Sequence, residues 1–163
     1  MESTSATIIP FSLATTCRAL SLLIVPPGTE IAGESARSYQ LDFTQELGES
    51  ATLMIHITVR RYVKADRVVF VWRLLAEGQG EFEGMYTDES AWFVLWPMKT
   101  HNNYGPAVVL QNYMRLLPIG FDGKSDSDAR ANRFIEILVK ADEVDVKGMK
   151  QMMDRLVREK RSC

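Results

Sequence analysis

The sequence predicts an α+β domain in which an antiparallel sheet of about five strands is backed by a long C-terminal helix, with one further helix near the N-terminus. Three stretches carry that expectation. Leu53, Ile55, Ile57 and Val59 alternate with Met54, His56, Thr58 and Arg60, the period-two signal of a half-buried strand. Arg67 to Pro97 reads as two strands rich in Val, Phe and Trp, with Gly78, Gly80 and Gly84 marking the connection. Val146, Met149, Met152, Met153, Leu156 and Val157 form a broad apolar stripe at helical spacing, with acids before it and bases after it, as the helix dipole favours.

Taken in order, Met1 to Thr7 is small and polar and is expected to be a loose tail, leaving one domain over residues 8–160. Ser12 is a candidate N-cap for a helix that carries Leu13, Cys17, Leu20 and Ile24 along one side and ends at Pro26-Pro27-Gly28. A first strand follows from Ala36 to Glu46, with Tyr39, Leu41 and Phe43 on one face. The strand carrying Leu53 to Arg60 then pairs with Arg67 to Glu77 through the short turn Lys64 to Asp66. In this second partner Phe70, Trp72 and Leu74 share one face and Val69, Val71 and Leu75 the other. Both faces are apolar, as they are in Ala91–Trp96 and Val108–Leu117, so both need cover from helices, a second layer or another chain. Past Pro118 the chain turns helical, in one segment capped by Asp126 or Ser127 and bearing Ala131, Phe134, Ile135 and Leu138, and a second beginning near Asp142 or Asp145.

Composition narrows the function classes. The chain has 163 residues, a net charge of −2 and a pI near 5.7, and lacks the basic surplus that nucleic-acid binding requires. Nucleic acid is not an expected partner. Cys17 and Cys163 are too few and too far apart for a disulfide framework or a thiolate metal site, so a reducing, cytoplasmic compartment is expected. No stretch is long and apolar enough for a transmembrane segment, and the run from Ile8 to Val25 carries Arg18 and Pro10 where a signal peptide would not.

An antiparallel sheet gripping a terminal helix resembles the START and Bet v 1-like helix-grip domains. The local residues sharpen the resemblance. WRLLAEGQGEFEGMYTDESAWFVLWP, then VVLQNYMRLLP, then QMMDRLV are similar to the START-like proteins of the oomycete mating-specific family, at Trp72, Glu77, Gly78, Gly84, Asp88, Glu89, Trp92, Pro97, Gln111, Arg115 and Pro118. The resemblance implies a curved sheet, a domain shortened at its N-terminus, and a cavity for a lipid or other small hydrophobic ligand between the sheet and the C-terminal helix. It implies no enzymatic activity and no cofactor. A regulatory or protein-interaction module that has lost its cavity, its apolar strands covered by a partner or a second copy, is the alternative.

Candidate cavity residues follow from charge in an apolar setting. Arg73, Glu77, Gln111 and Arg115 interrupt strands that are otherwise apolar on both faces, and a charge so placed is costly unless paired. One reading puts them in the cavity, orienting a ligand among Val69, Val71, Leu75, Tyr113 and Trp92 from the sheet and Met149, Met152, Met153 and Leu156 from the helix. The other makes Arg73 or Arg115 half of an ion pair with Glu77 or Glu89 on the outer face. Asp88-Glu89 reads as a solvated turn, His56 as a half-exposed sheet residue and His101 as loop. Neither histidine has the neighbours of a metal site or of a nucleophile and base pair.

Overall fold

The structure is a computed structural model that describes residues 1–25, 33–44, 50–98, 105–120 and 125–161; within the C-terminal helix the side chains of 125–128, 141–146, 149–150, 153, 156–157 and 159–161 lie outside the description. It is the α+β helix-grip arrangement: a curved antiparallel sheet with both helices on one face. In chain order the elements are β1 (Glu2–Ile9), α1 (Leu13–Ile24), β2 (Glu34–Thr44), β3 (Ser50–Val63), β4 (Val68–Gly78), β5 (Tyr86–Pro97), β6 (Val108–Ile119) and α2 (Ser125–Arg161). The six strands lie in the order β1-β6-β5-β4-β3-β2, every neighbour antiparallel.

The sixth strand is a correction, because Met1 to Thr7 is not a loose tail. Residues Glu2 to Ile9 pair with β6 from Glu2↔Arg115 to Ile9↔Val108. All but the last are exposed, so no burial pattern marks them in the sequence. The backbone ladder holds them, with Ile9 buried at 5% exposure as the anchor. Ser5 adds to this by donating its N–H to Asn112 Oδ1 at 3.0 Å, and the amino terminus donates to the Leu116 carbonyl at 2.9 Å.

Ser12 caps α1, its hydroxyl accepting the Thr15 N–H at 3.2 Å. The helix turns Leu20 and Ala19, with Leu13, Cys17 and Ile24 at the margin, onto the sheet, while Arg61 Nη1 donates to Ser21 Oγ at 3.0 Å and ties it to β3. Val25 is its C-cap; Pro26 to Gly28 lie outside the described residues. The β3–β4 hairpin closes with Lys64 N–H donating to the Arg67 carbonyl at 2.9 Å. Between β4 and β5 a 3-10 turn, Gly80–Phe82, tucks the fully buried Phe82 against Phe134 of α2, ring centroids 5.4 Å apart. Gly78 is obligatory there, because a Cβ would collide with the Phe82 backbone.

The C-terminal segment is one continuous helix, not the two expected. No proline falls between Ser125 and Arg161, and its one glycine, Gly148, costs only about 1 kcal/mol relative to alanine, so nothing stops propagation. Asp126 and Ser127 accordingly sit inside its first turn.

Candidate functional site

Side chains alternate across each strand, and the register fixes which of them share a face. Trp72, Leu74, Ala76 and Gly78 of β4 lie level with Val59, Ile57, Ile55 and Leu53 of β3, and Val68, Phe70, Trp72, Leu74 and Ala76 with Leu95, Phe93, Ala91, Glu89 and Thr87 of β5. This is the face the helices cover. Two closed clusters form on it. One joins Val59, Val68, Phe70 and Leu95 to Ala19 and Leu20 of α1, with Met152 of α2 packed against it. The other joins Leu53, Ile55, Ala76 and Phe82 to Phe134 and Ile137 of α2.

Along the margins of the clusters runs a band of partly buried side chains, Ile57, Trp72 and Phe93 packed against the first and Leu74 against the second. Ile57, Trp72, Leu74, Phe93 and Met114 are only half-buried, though they occupy the covered face and are flanked by residues with almost no exposure. Trp72 meets Phe93 edge to face at 4.6 Å and donates its indole N–H to Glu89 Oε1 at 2.8 Å. Glu89 thus sits on the inner face, in strand β5, as part of a half-buried polar pair and not as half of a solvated turn. At the far side of the band Arg37 of β2 lies with its guanidinium 4.6 Å from the centre of the Tyr39 ring.

The sheet residues expected to line a cavity are on the opposite face. Val69, Val71, Arg73, Leu75 and Glu77 alternate with the covered set of β4, and Trp92, Gln111, Tyr113 and Arg115 lie level with them through the β4–β5 and β5–β6 registers. Val71 and Trp92 are 38% and 39% exposed. The physical reason is the helix position: α1 and α2 both pack on the Phe70 side, so the equally apolar Val71 side faces outward. Met152 packs against the cluster that joins α1 to the sheet; the side chains of Met149, Met153 and Leu156 lie outside the described residues, as does His101.

On the outer face the charges neutralise one another. Arg73 grips Asp88 with two hydrogen bonds, Nε–Oδ1 at 3.0 Å and Nη2–Oδ2 at 2.7 Å. The pair holds the Asp88 carboxyl below its usual range. Arg115 pairs with Glu2 at 3.5 Å and Arg60 with Glu34. The outward ion-pair reading of Arg73 and Arg115 therefore holds in kind, with Asp88 and Glu2 as partners. His56, half-exposed, meets Ser38 Oγ through Nδ1 at 2.7 Å, and Glu77 lies 4.0 Å from its Nε2. A cleft of about 580 Å³ opens here, bordered by Ser38, His56, Thr58, Arg73, Leu75 and Asp88. Arg37 and Ile57 also border it; it is open to water and Arg73 is already engaged by Asp88, so it makes a poor enclosure for an apolar molecule.

Sequence reasoning did not count Ile57, Trp72, Leu74, Phe93, Glu89 or Arg37 among the candidate cavity residues. A signal for most of them exists. The short Lys64–Asp66 turn pairs Val63 with Val68, which forces the apolar set of β3 to share its face with Phe70, Trp72 and Leu74. Among the described residues no group of three or more His, Cys, Asp or Glu side chains could hold a metal ion, and no helix is long and apolar enough to cross a membrane.

No family model matches the chain, and no curated protein matches it. Among solved structures, a conserved protein from Geobacillus kaustophilus matches 97% of this chain and 96% of its own, with 12% identity and a TM-score of 0.54. Ara h 8.0201 matches 97% of this chain and 98% of its own at 9% identity and a TM-score of 0.45. The di-domain ARO/CYC StfQ from the steffimycin biosynthetic pathway matches 99% of this chain and 52% of its own at 11% identity and a TM-score of 0.44. The first of these likenesses, spanning nearly the whole of both chains, shows a shared fold and nothing narrower.

Proposed function

We propose that this chain is a non-enzymatic, cytoplasmic binding protein that encloses a lipid or other small hydrophobic ligand between the inner face of the sheet and α2, as the START-like oomycete proteins it resembles are expected to do. The observation that supports this is the half-buried band of Ile57, Trp72, Leu74 and Phe93. Side chains on a helix-covered face, lying along the margins of two sealed clusters, are normally sealed as well. Leaving apolar surface there unburied forgoes about 25 cal/mol per Å², which an apolar ligand would recover. Native mass spectrometry of the purified protein, followed by titration of apolar compounds with Trp72 as fluorescent reporter in a Trp92→Phe, Trp96→Phe background, tests it. A bound apolar mass, or saturable quenching of Trp72, is the expected result. A protein that purifies empty and leaves Trp72 unchanged across fatty acids, alcohols and sterols would overturn the proposal.

The alternative, an interaction module, draws support from the outer face, where Val71, Leu75, Trp92, Leu117 and Ile119 are all exposed. The arginines described on this face already have acidic partners on the same face, which offers little to a strongly charged partner and suits a second copy of the chain. Light scattering over a concentration series separates the two: a monomer at every concentration removes the self-association reading and leaves ligand enclosure untouched.

A further inference from the structure

We infer that the end of the domain formed by the β3–β4 hairpin and α1 docks on an anionic lipid surface. This goes beyond ligand enclosure and does not depend on it, because it concerns the outside of the molecule. The register sets the ends of five strands side by side there: Val63 pairs with Val68, Val68 with Leu95, Pro97 with Val108, and Val108 with Ile9. α1 packs over the same end and is tied beside the hairpin where Arg61 Nη1 donates to Ser21 Oγ.

Four large apolar side chains are left in water at this end. Val63, at 67%, is the most exposed of its kind among the described residues, Ile8 keeps 61%, and Tyr62 and Leu22, the latter next to Ser21, are exposed as well. The hairpin does not need them to close, since its turn is shut by the Lys64 N–H on the Arg67 carbonyl. Tyr62 and Val63 point to opposite sides of the ribbon, so the tip is apolar on both. A partner lying flat on one face of the sheet covers one of them; a medium that takes in the whole tip covers both.

Charge selects the medium. Arg18, Arg60, Arg61, Lys64 and Arg67 stand here against Glu34 and Asp66 among the described residues, a surplus of three positive charges in a chain whose net charge is −2. Two copies meeting through this end would set like charges together, which disfavours self-association here. Anionic headgroups supply the opposite charge, the tyrosine ring suits the level of the headgroups, and the aliphatic side chains bury their surface just below. Either signal alone holds a protein weakly on a bilayer, and here both occur at one place.

The test is co-sedimentation of the whole chain with vesicles of phosphatidylcholine alone or of phosphatidylcholine mixed with phosphatidylserine. Wild-type protein is expected to bind the mixed vesicles at least about tenfold more tightly, with the preference shrinking as salt rises. Lys64→Ala and Val63→Ser should each weaken that binding about fivefold, whereas Ile119→Ser, an exposed apolar residue at the opposite end of the sheet, should leave it unchanged. Failure to sediment with either vesicle, equal binding to both, or a loss shared by Ile119→Ser overturns the docking proposal. Capture by immobilised polyglutamate with none by vesicles overturns it too, in favour of an acidic protein. The wild-type comparison decides by itself if a variant does not fold. Ligand enclosure stands or falls separately, because the bound mass and the Trp72 signal are read without vesicles.

Discussion

Phe70 and Val71 are neighbours in β4, both apolar and both strand-forming, yet Phe70 has no exposed surface and Val71 keeps 38% of its own. The same contrast repeats along the sheet. Trp72 on the inner face shares a hydrogen bond with Glu89 beneath the helices, while Trp92 on the outer face stacks on Tyr113 at 4.0 Å and remains 39% exposed. The inner face is a packed interior with a half-buried band across it. The outer face is an apolar surface pinned by cross-strand ion pairs. Two sets of side chains with nearly the same chemistry thus end in opposite environments, and the difference lies in which side α1 and α2 settle on, not in hydrophobicity.

Breaking the comparison at its strongest point means truncating that neighbouring pair. Phe70→Ala should cost about 3–5 kcal/mol in urea unfolding, the range for an aromatic removed from a closed core, and Val71→Ala roughly 1 kcal/mol or less. Comparable losses would mean the outer face is covered in solution. Next in size, Gly78→Ala puts a methyl group against the Phe82 backbone on the inner side and should destabilise by roughly 1–3 kcal/mol, lowering the thermal midpoint. Trp72→Phe keeps an aromatic ring but removes the indole hydrogen bond to Glu89, at about 1 kcal/mol, while Trp92→Phe should leave the midpoint nearly unchanged. A matching drop in both would erase the distinction between the two tryptophans.

The smallest effect is expected from the ion pairs. Asp88 has its folded-state pKa depressed, first by its hydrogen bonds to Arg73, so its contribution is present above the unfolded value near about 3.9 and fades as pH falls through the lower folded value. Asp88→Asn should therefore flatten the acid limb of the stability profile slightly below pH of about 4, and added salt should shrink the difference because Arg73 is largely exposed. No change in that limb would show that the pair contributes nothing to folding.

Much of the architecture was legible because it is written locally. The period of Leu53 to Arg60 marks a strand, Ser12 marks a helix start, and the short turn after Val63 marks a hairpin; each structure agrees with its residues. The fold class followed from their order. β1 was not legible, since ESTSATII has no buried alternation and its partner β6 is about a hundred residues away in sequence. The site was half legible. The expected cavity residues Val69, Val71, Arg73, Leu75 and Glu77 do share one face with Trp92, Gln111, Tyr113 and Arg115, but that face is the outer one.

The sequence by itself determined which side chains lie together, because alternation is fixed by backbone dihedrals and a short turn transmits it from strand to strand. Only the tertiary structure decided which of the two apolar faces became the interior. That choice is made by distant segments, α1 and α2, whose packing on the Phe70 side excludes water there and leaves the Val71 side wet, and no local pattern in β4 encodes it.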